Sequence, residues 1–326
     1  AYREAREPRD RLDCLRELLR TIPKHKGTEH LQSDIKKRIK QLTEELAGPK
    51  KGGRRSGPSH AVRPEGAAQI CLIGPPNAGK SSLHVRTTGS RSDIGPYPYT
   101  THLPVAGMLP FEDIHFQLVD LPPISAEFME PWMLNALQSA DGVLLVIDVD
   151  DPDCLDQVPT ILERLVEKKV FLKADWPGLD REVAREPHEG GGLFHLNLPT
   201  ILIANKSDLD PDPGEAETLE ELLGLRFPAL TMSAETGEGV DQLGELLFRA
   251  LEIVRVYTKA PGKPADSDKP FTVRRGGTVL DVARLVHRDI ARGMKFARMW
   301  GDHVYDGQQV GPDHLVCDGD TIELHF

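Results

Sequence analysis

Eight consecutive residues, Gly74-Pro75-Pro76-Asn77-Ala78-Gly79-Lys80-Ser81, combine a backbone that can approach a ligand closely with one ammonium and one hydroxyl. They fit GxxxxGK[ST]. The apolar run QICLI precedes them and the helix-like SSLHVRTTG follows. In that strand–turn–helix context the loop cradles phosphates. The loop from Gly74 through Pro76, Asn77 and Ala78 to Gly79, with Ser81 and Ser82 opening the helix, presents backbone N–H groups and the positive end of a helix dipole to an anion. Lys80 is expected to reach the β and γ phosphates, and the Ser81 hydroxyl to bind Mg²⁺.

A second constellation bears on the base. Asn205-Lys206-Ser207-Asp208 follows the apolar run TILIA. A carboxylate placed like Asp208 accepts two hydrogen bonds from N1–H and the 2-amino group of guanine. Adenine offers an acceptor at N1 and no 2-amino group, so the carboxylate would stay unpaired. Discrimination on such pairing reaches about 10⁴-fold or more. The Lys206 stem can lie over the base, and Ser233-Ala234 in TMSAETG can present a backbone N–H to the guanine O6. Asp120, closing IHFQLVD, is placed to hold Mg²⁺ directly or through water. Thr100 and Thr101 in PYPYTTHLP follow Lys80 by 20 and 21 positions. One of them is expected to bring a hydroxyl to the metal.

These groups need a scaffold that delivers them to one edge. From residue 69 onward, short apolar runs (QICLIG, IHFQLVD, GVLLVIDVD, TILIANKSD, PALTMSAETG) alternate with helical patterns such as CLDQVPTILERLVEKK, ETLEELLGL and VDQLGELLFRALEIV. That alternation predicts a doubly wound α/β domain over 69–257. Ligands of such sheets bind beyond the carboxyl ends of the strands, where all the motifs fall. Upstream, leucines and isoleucines at helical spacing in 9–20 and 29–47 predict a helical hairpin over 1–47. Residues 48–68, rich in Gly, Pro and basic residues, read as a flexible linker, and 258–269 as a Pro-rich one. Residues 172–198 look like an inserted loop. The tail 270–326 has short strands around one helix, VLDVARLVHRDIARG, a small α+β module.

The chain has 326 residues, 39% hydrophobic and 28% charged, the balance of a globular protein. It has no apolar run of roughly 18 residues to cross a membrane, and from the charged stretch AYREAREPRD, which lacks an apolar h-region, no secretory signal is expected. Four scattered cysteines without a CxxC pair fit neither a disulfide framework nor a cysteine zinc site. A cytoplasmic setting is expected. Residues 1–66 hold 17 Lys and Arg against 10 Asp and Glu, a net of +7, whereas 67–269 hold 16 against 33, a net of −17. A polyanion is therefore expected to be met first by the N-terminal region. His102, His115, His195 and His287 lack partners at metal-ligand spacing, and Trp132 and Met133 read as packing residues.

GPPNAGKSSL, YPYTTHLPVAGML, DLPP, NKSD and SAE resemble the five nucleotide-binding motifs of Obg-like GTPases of the translation-factor class. IPKHKGTEHLQSDIKKRIKQL is similar to the helical segment of developmentally regulated GTP-binding proteins. FTVRRGGTVLDVARLVHRDIA and DGDTIELHF resemble a TGS domain, a ubiquitin-like β-grasp module. The resemblance implies GTP hydrolysis with Mg²⁺ coupled to ribosome or RNA work, and it places the metal-binding threonine at Thr101. One departure stands out. The family's Asp-x-x-Gly is here Asp120-Leu121-Pro122-Pro123. Proline has no N–H to sense a γ-phosphate, so the Ile124 N–H is the candidate substitute. Ile124 also falls where Ras-like enzymes keep a glutamine near the attacking water. Slow turnover, dependent on a partner or on K⁺ held by Asn77, is the expectation. The alternative is a GTP-binding adaptor with negligible hydrolysis.

Overall fold

In a computed structural model of the chain, the described residues are 62–90, 103–151, 153–179, 195–209, 223–224 and 226–326, with Thr21 and Ile35. The expected hairpin over 1–47, Thr100 and Thr101, most of the 172–198 insertion and most of ETLEELLGL lie outside them. Residues 1–59 and 60–326 form two separate units.

All five residues of β1 (Gln69–Ile73) are buried. It pairs in parallel with β3 (Ile114–Asp120) and β4 (Gly142–Asp148). The sheet runs β2 (Val105–Phe111), β3, β1, β4, β6 (Leu196–Asn205), β5 (Val170–Lys173), with β7 (Ala229–Thr231) also on β6. Strand β2 is antiparallel to β3, and the other pairs are parallel. Alternate residues feed two cores. Ile70, Leu72, Leu144 and Val146 face Leu83 of α1 (Lys80–Thr88) and Leu243 and Leu247 of α4 (Gln242–Ala250). Cys71, Ile73, Val143, Leu145 and Ile147 face Met133 and Leu137 of α2 (Met133–Gln138) and Val158, Ile161 and Leu165 of α3 (Cys154–Glu167). Burial on both faces selects continuous apolar strands, and helices on both faces make the sheet doubly wound.

The C-terminal sheet has the order β11 (Gln308–Val310), β10 (Phe296–Trp300), β12 (Asp320–His325), β8 (Ile253–Thr258), β9 (Asp266–Arg274). Helix α5 (Val279–Val286) covers one face, packing Val279, Val282 and Ala283 on Val256, Met299 and Ile322. Three details differ from the sequence reading. Ile253-Val254-Arg255-Val256 leaves helix α4 and joins the C-terminal sheet, so that domain starts well before residue 270 and absorbs much of 258–269. Its alternate valines are buried while Arg255 is not, a period of two hidden behind a helical one. The expected single helix breaks at His287, extended at φ −167 and ψ 139, and resumes as α6 (Arg288–Gly293), capped by the His287 side chain. Residues 62–68, read as linker, run alongside β3: the Gln117 N–H donates to the Ala68 carbonyl, and Gly66 bridges Phe116.

Candidate nucleotide site at the carboxyl edge of the sheet

Five strands deliver their ends to one edge: Gly74 follows β1, Asp120 ends β3, Asp148 ends β4, Asn205 ends β6, and Ser233 lies just past β7. Gly74 has φ 153, and a Cβ there would lie 2.1 Å from the Val146 carbonyl oxygen. Gly79 has φ 84, and its Cβ would meet the Asn205 Nδ2 at 2.2 Å. Both positions therefore exclude a side chain. Asn77, exposed at the crest, holds φ 62. Lys80 is buried, and its Nζ donates to the carbonyls of Gly74 at 3.1 Å and Pro75 at 2.7 Å. Burial lowers its pKa to about 8, against the opposing pull of Asp120.

Ser81 opens α1 and donates from Oγ to Asp120 Oδ2 at 2.6 Å. Asp120 is fully buried, and its Oδ1 has no hydrogen-bond partner among the described residues. Burial raises the carboxyl pKa, while the Ser81 hydrogen bond and the charges of Lys80 and His84 oppose the rise. A buried carboxylate oxygen left unpaired beside a hydroxyl suits a hard cation such as Mg²⁺. Ser82 follows in the first turn of the helix.

Asn205 braces the base side. Its Nδ2 donates to the Ala78 carbonyl at 2.9 Å, and its Oδ1 accepts the Ala234 N–H at 3.1 Å. The phosphate loop and the Ser233-Ala234 loop are thus locked to one side chain; of the two backbone N–H groups expected to serve a guanine O6, that of Ala234 is engaged there and that of Ser233 donates to the Glu238 carbonyl at 3.0 Å. The Ser233 Oγ donates to Asp208 Oδ1 at 2.5 Å. Lys206, at φ 67, lays its stem back so that Nζ meets Asp148 Oδ2 at 2.5 Å.

Leu121, Pro122, Pro123 and Ile124 are all buried. The Ile124 N–H, the candidate substitute for the missing glycine, donates to the Gly74 carbonyl at 3.1 Å. Beside it, Pro75, Pro76 and Ile124 wall a cleft of about 370 Å³ that opens toward Asp153 and Asp156.

Two residues escaped the sequence reading. His84, fully buried in α1, lies with Nε2 3.2 Å from the Leu118 carbonyl and Nδ1 3.0 Å from the Ser90 hydroxyl. These contacts fit a neutral ring protonated at Nε2, and burial lowers its pKa accordingly. A histidine among the apolar positions of α1 was the available signal. The other is Asp148, which the sequence shows only as part of the acidic strand end DVDDPD and which the β4–β6 register sets opposite Asn205. His102 lies outside the described residues, His115 lies in β3 and His287 caps α6; among the described residues no group of three or more His, Cys, Asp and Glu forms a metal cluster. Met133 is buried in the core. No helix among the described residues is long and apolar enough to cross a membrane.

Residues 69–187 match the family described as 50S ribosome-binding GTPase, and residues 254–325 match the TGS domain. The chain is 27% identical to an uncharacterized GTP-binding protein of Methanocaldococcus jannaschii, over 95% of this chain and 90% of that one. It is 27% identical to developmentally-regulated G-protein 1 of Arabidopsis thaliana, over 94% and 88%. A solved GTP binding protein from Pyrococcus horikoshii OT3 superposes at a TM-score of 0.49 and 15% identity, over 79% of this chain and 99% of that chain.

Proposed function

We propose that the chain, whose residues 69–187 match a GTPase family and 254–325 the TGS domain, is a GTP-binding protein of the developmentally regulated type that hydrolyses GTP to GDP and phosphate as a molecular switch. The observation that carries this reading is the buried Asp120 carboxylate, bonded to the half-buried Ser81 hydroxyl through one oxygen and without a partner on the other among the described residues, adjacent to Lys80. Lys80 neutralises the β and γ phosphates. Loop residues Gly74 to Gly79 would enclose them, and Ser81, Asp120 and, by the resemblance, Thr101 would hold the metal. Magnesium supplies charge neutralisation at the phosphates. Asp208 reads the guanine edge, Lys206 covers the base, and Asn205 holds the loops of Ala78 and Ala234 in register.

Turnover by the isolated chain is slow in this reading. Pro123 offers no N–H, the Ile124 N–H is engaged by Gly74, and the Ile124 side chain cannot orient water. K⁺ at Asn77, or a partner, is the accelerator. The partner is a ribosome or RNA, in the cytoplasm. Support comes from the +7 charge of residues 1–66 and the ribosome-binding description of the matching family. The same Pro123 and Ile124 arrangement favours a second reading, a GTP-binding adaptor that barely hydrolyses.

Phosphate release from GTP with Mg²⁺, in KCl and in NaCl, with and without ribosomes, separates the two. Turnover that rises with K⁺ or ribosomes, fails with ATP and vanishes in Lys80→Ala is the expected result. Tight GTP binding without turnover under every condition selects the adaptor.

A further inference from the structure

The hairpin formed by β2 and β3 has two functional ends. At its base Val105 pairs with Asp120, so the strand leaving residues 91–102 and the candidate metal carboxylate lie side by side. At its tip Phe111 pairs with Ile114 across Glu112-Asp113. Seven paired residues at about 3.3 Å each separate tip from base by roughly 20 Å.

The tip is gripped by the C-terminal sheet. Arg255 of β8 pairs through Nη1 with Glu112, and with Asp113 Oδ1 at 3.2 Å. The other edge of the same guanidinium engages Asp318, with Nη2 to Oδ2 at 2.7 Å and Nε to Oδ1 at 3.0 Å. Its Cζ lies over the Phe248 ring of α4, 5.0 Å from the ring centroid. Tyr257, next along the same face, donates its hydroxyl to Asp113 Oδ2 at 2.5 Å. Behind the tip, Phe111 contacts Phe248 and Phe116, with ring centroids 5.5 and 6.4 Å apart. A planar fork serving three carboxylates while stacked on an aromatic ring is a role lysine cannot take over. The charged groups facing Arg255 are Glu112, Asp113 and Asp318, and together they raise its pKa, so it stays cationic.

We propose that Arg255 and Tyr257 are positioning residues for the nucleotide switch: they tie the β2–β3 hairpin to the TGS sheet, so that the state of the Asp120 site and the state of the TGS domain bias each other. The inference rests on the GTP reading above. It extends that reading by giving the TGS domain a mechanical connection to the metal carboxylate. Coupling of this kind is reciprocal in binding free energy.

The test uses the full chain carrying Arg255→Met, Arg255→Lys, Tyr257→Phe and Asp113→Asn, and the double variant Tyr257→Phe/Asp113→Asn. Arg255→Met keeps the stem on Phe248 and removes the fork. The first readout is amide hydrogen exchange without nucleotide. Release of the tip is expected to speed exchange at least about tenfold not only near Asp113 but at Val105, Val119 and Asp120. The second readout is the ratio of GTP to GDP affinity. It is expected to change by roughly fivefold or more in Arg255→Met, within the usual range of coupling, less in Arg255→Lys, and no further in the double variant than in its singles, because one contact is shared. A merely structural contact would lower the melting temperature and both affinities alike. Exchange confined to the tip, or an unchanged affinity ratio, overturns the proposal. If the chain binds no guanine nucleotide, the GTP reading fails, and the exchange data still decide whether the hairpin is held as a unit.

Discussion

Pro123 is the residue whose replacement says most about the chemistry. A glycine there restores an N–H and frees φ. A hydrogen bond to a charged oxygen is worth about 1.5–3 kcal/mol. Pro123→Gly is therefore expected to raise GTP affinity over GDP by roughly tenfold or more, measured by fluorescent nucleotide titration, while costing up to about 1 kcal/mol of stability through the looser unfolded chain. At the opposite end of the site, Asp208→Asn replaces an acceptor by a mixed donor and acceptor at the guanine edge. It is expected to weaken GTP binding by at least about 100-fold in the same titration, with little effect on melting, since leaving a recognition pair unmade costs that much or more. The loop from Gly74 to Lys80 in its strand–turn–helix setting was legible in the sequence because that turn restricts the residue types that can form it. His84 and the brace role of Asn205 were not legible. Their partners lie 34 residues away for the Leu118 carbonyl and 127 for the Ala78 carbonyl, distances that only the folded sheet closes.

Elements set how precisely these groups are delivered. Helix α1 meets β2 at Gly107, where a Cβ would lie 2.5 Å from Thr88 Oγ1 and 2.9 Å from His84 Nε2. Helix and strand must part to admit a methyl group there, and overpacking of that kind costs about 1–3 kcal/mol. Gly107→Ala is expected to lose stability in that range in urea titrations and to weaken nucleotide binding, because α1 carries Lys80 and Ser81. In the TGS domain Thr278 caps α5: its hydroxyl accepts the Asp281 N–H while the Asp281 side chain takes the Thr278 N–H. Thr278→Ala is expected to cost about 1 kcal/mol. Hydrogen bonds from the Thr278 side chain and backbone hold the Asp281 carboxyl below the usual carboxylate range. That contribution is complete above about pH 4, and it is lost as the pH falls through the depressed value. Denaturant midpoints of the wild type and Thr278→Ala should accordingly converge in acid. The apolar strands were visible beforehand, since periodicity is local. The capture of Ile253–Thr258 by β12 was not, because a strand that starts three residues after a helix inherits the helix's apolar spacing. The break at His287 was hidden for a related reason: VLDVARLVHRDIARG keeps a helical pattern through a residue whose backbone is extended.

At the scale of the molecule the charge distribution decides how a polyanion is met. The body from 67 to 269 carries a net −17, and the residues after it add 7 basic against 8 acidic side chains, while residues 1–66 carry +7. A ribosome or RNA is repelled by the first of these and attracted by the last, within a Debye length of about 8–10 Å at working salt. Affinity should then depend on the N-terminal region and fall steeply with ionic strength, because each neutralised phosphate releases counterions. If six basic residues engage phosphates, binding is expected to fall by about 10³-fold between 50 and 200 mM salt. Deleting residues 1–61 removes the positive segment and keeps Val62, which packs against the core of the GTPase domain. The shortened chain is expected to hold GTP as the full chain does and to sediment with ribosomes only weakly, with a much shallower salt dependence. Ribosome binding that survives the deletion with its slope unchanged would move the contact onto the TGS domain. There Arg274 and Arg275 are already paired with Asp141 and Glu252. Any phosphate contact through those two side chains would have to displace a carboxylate first, so binding by that face should be both weaker and slower to form.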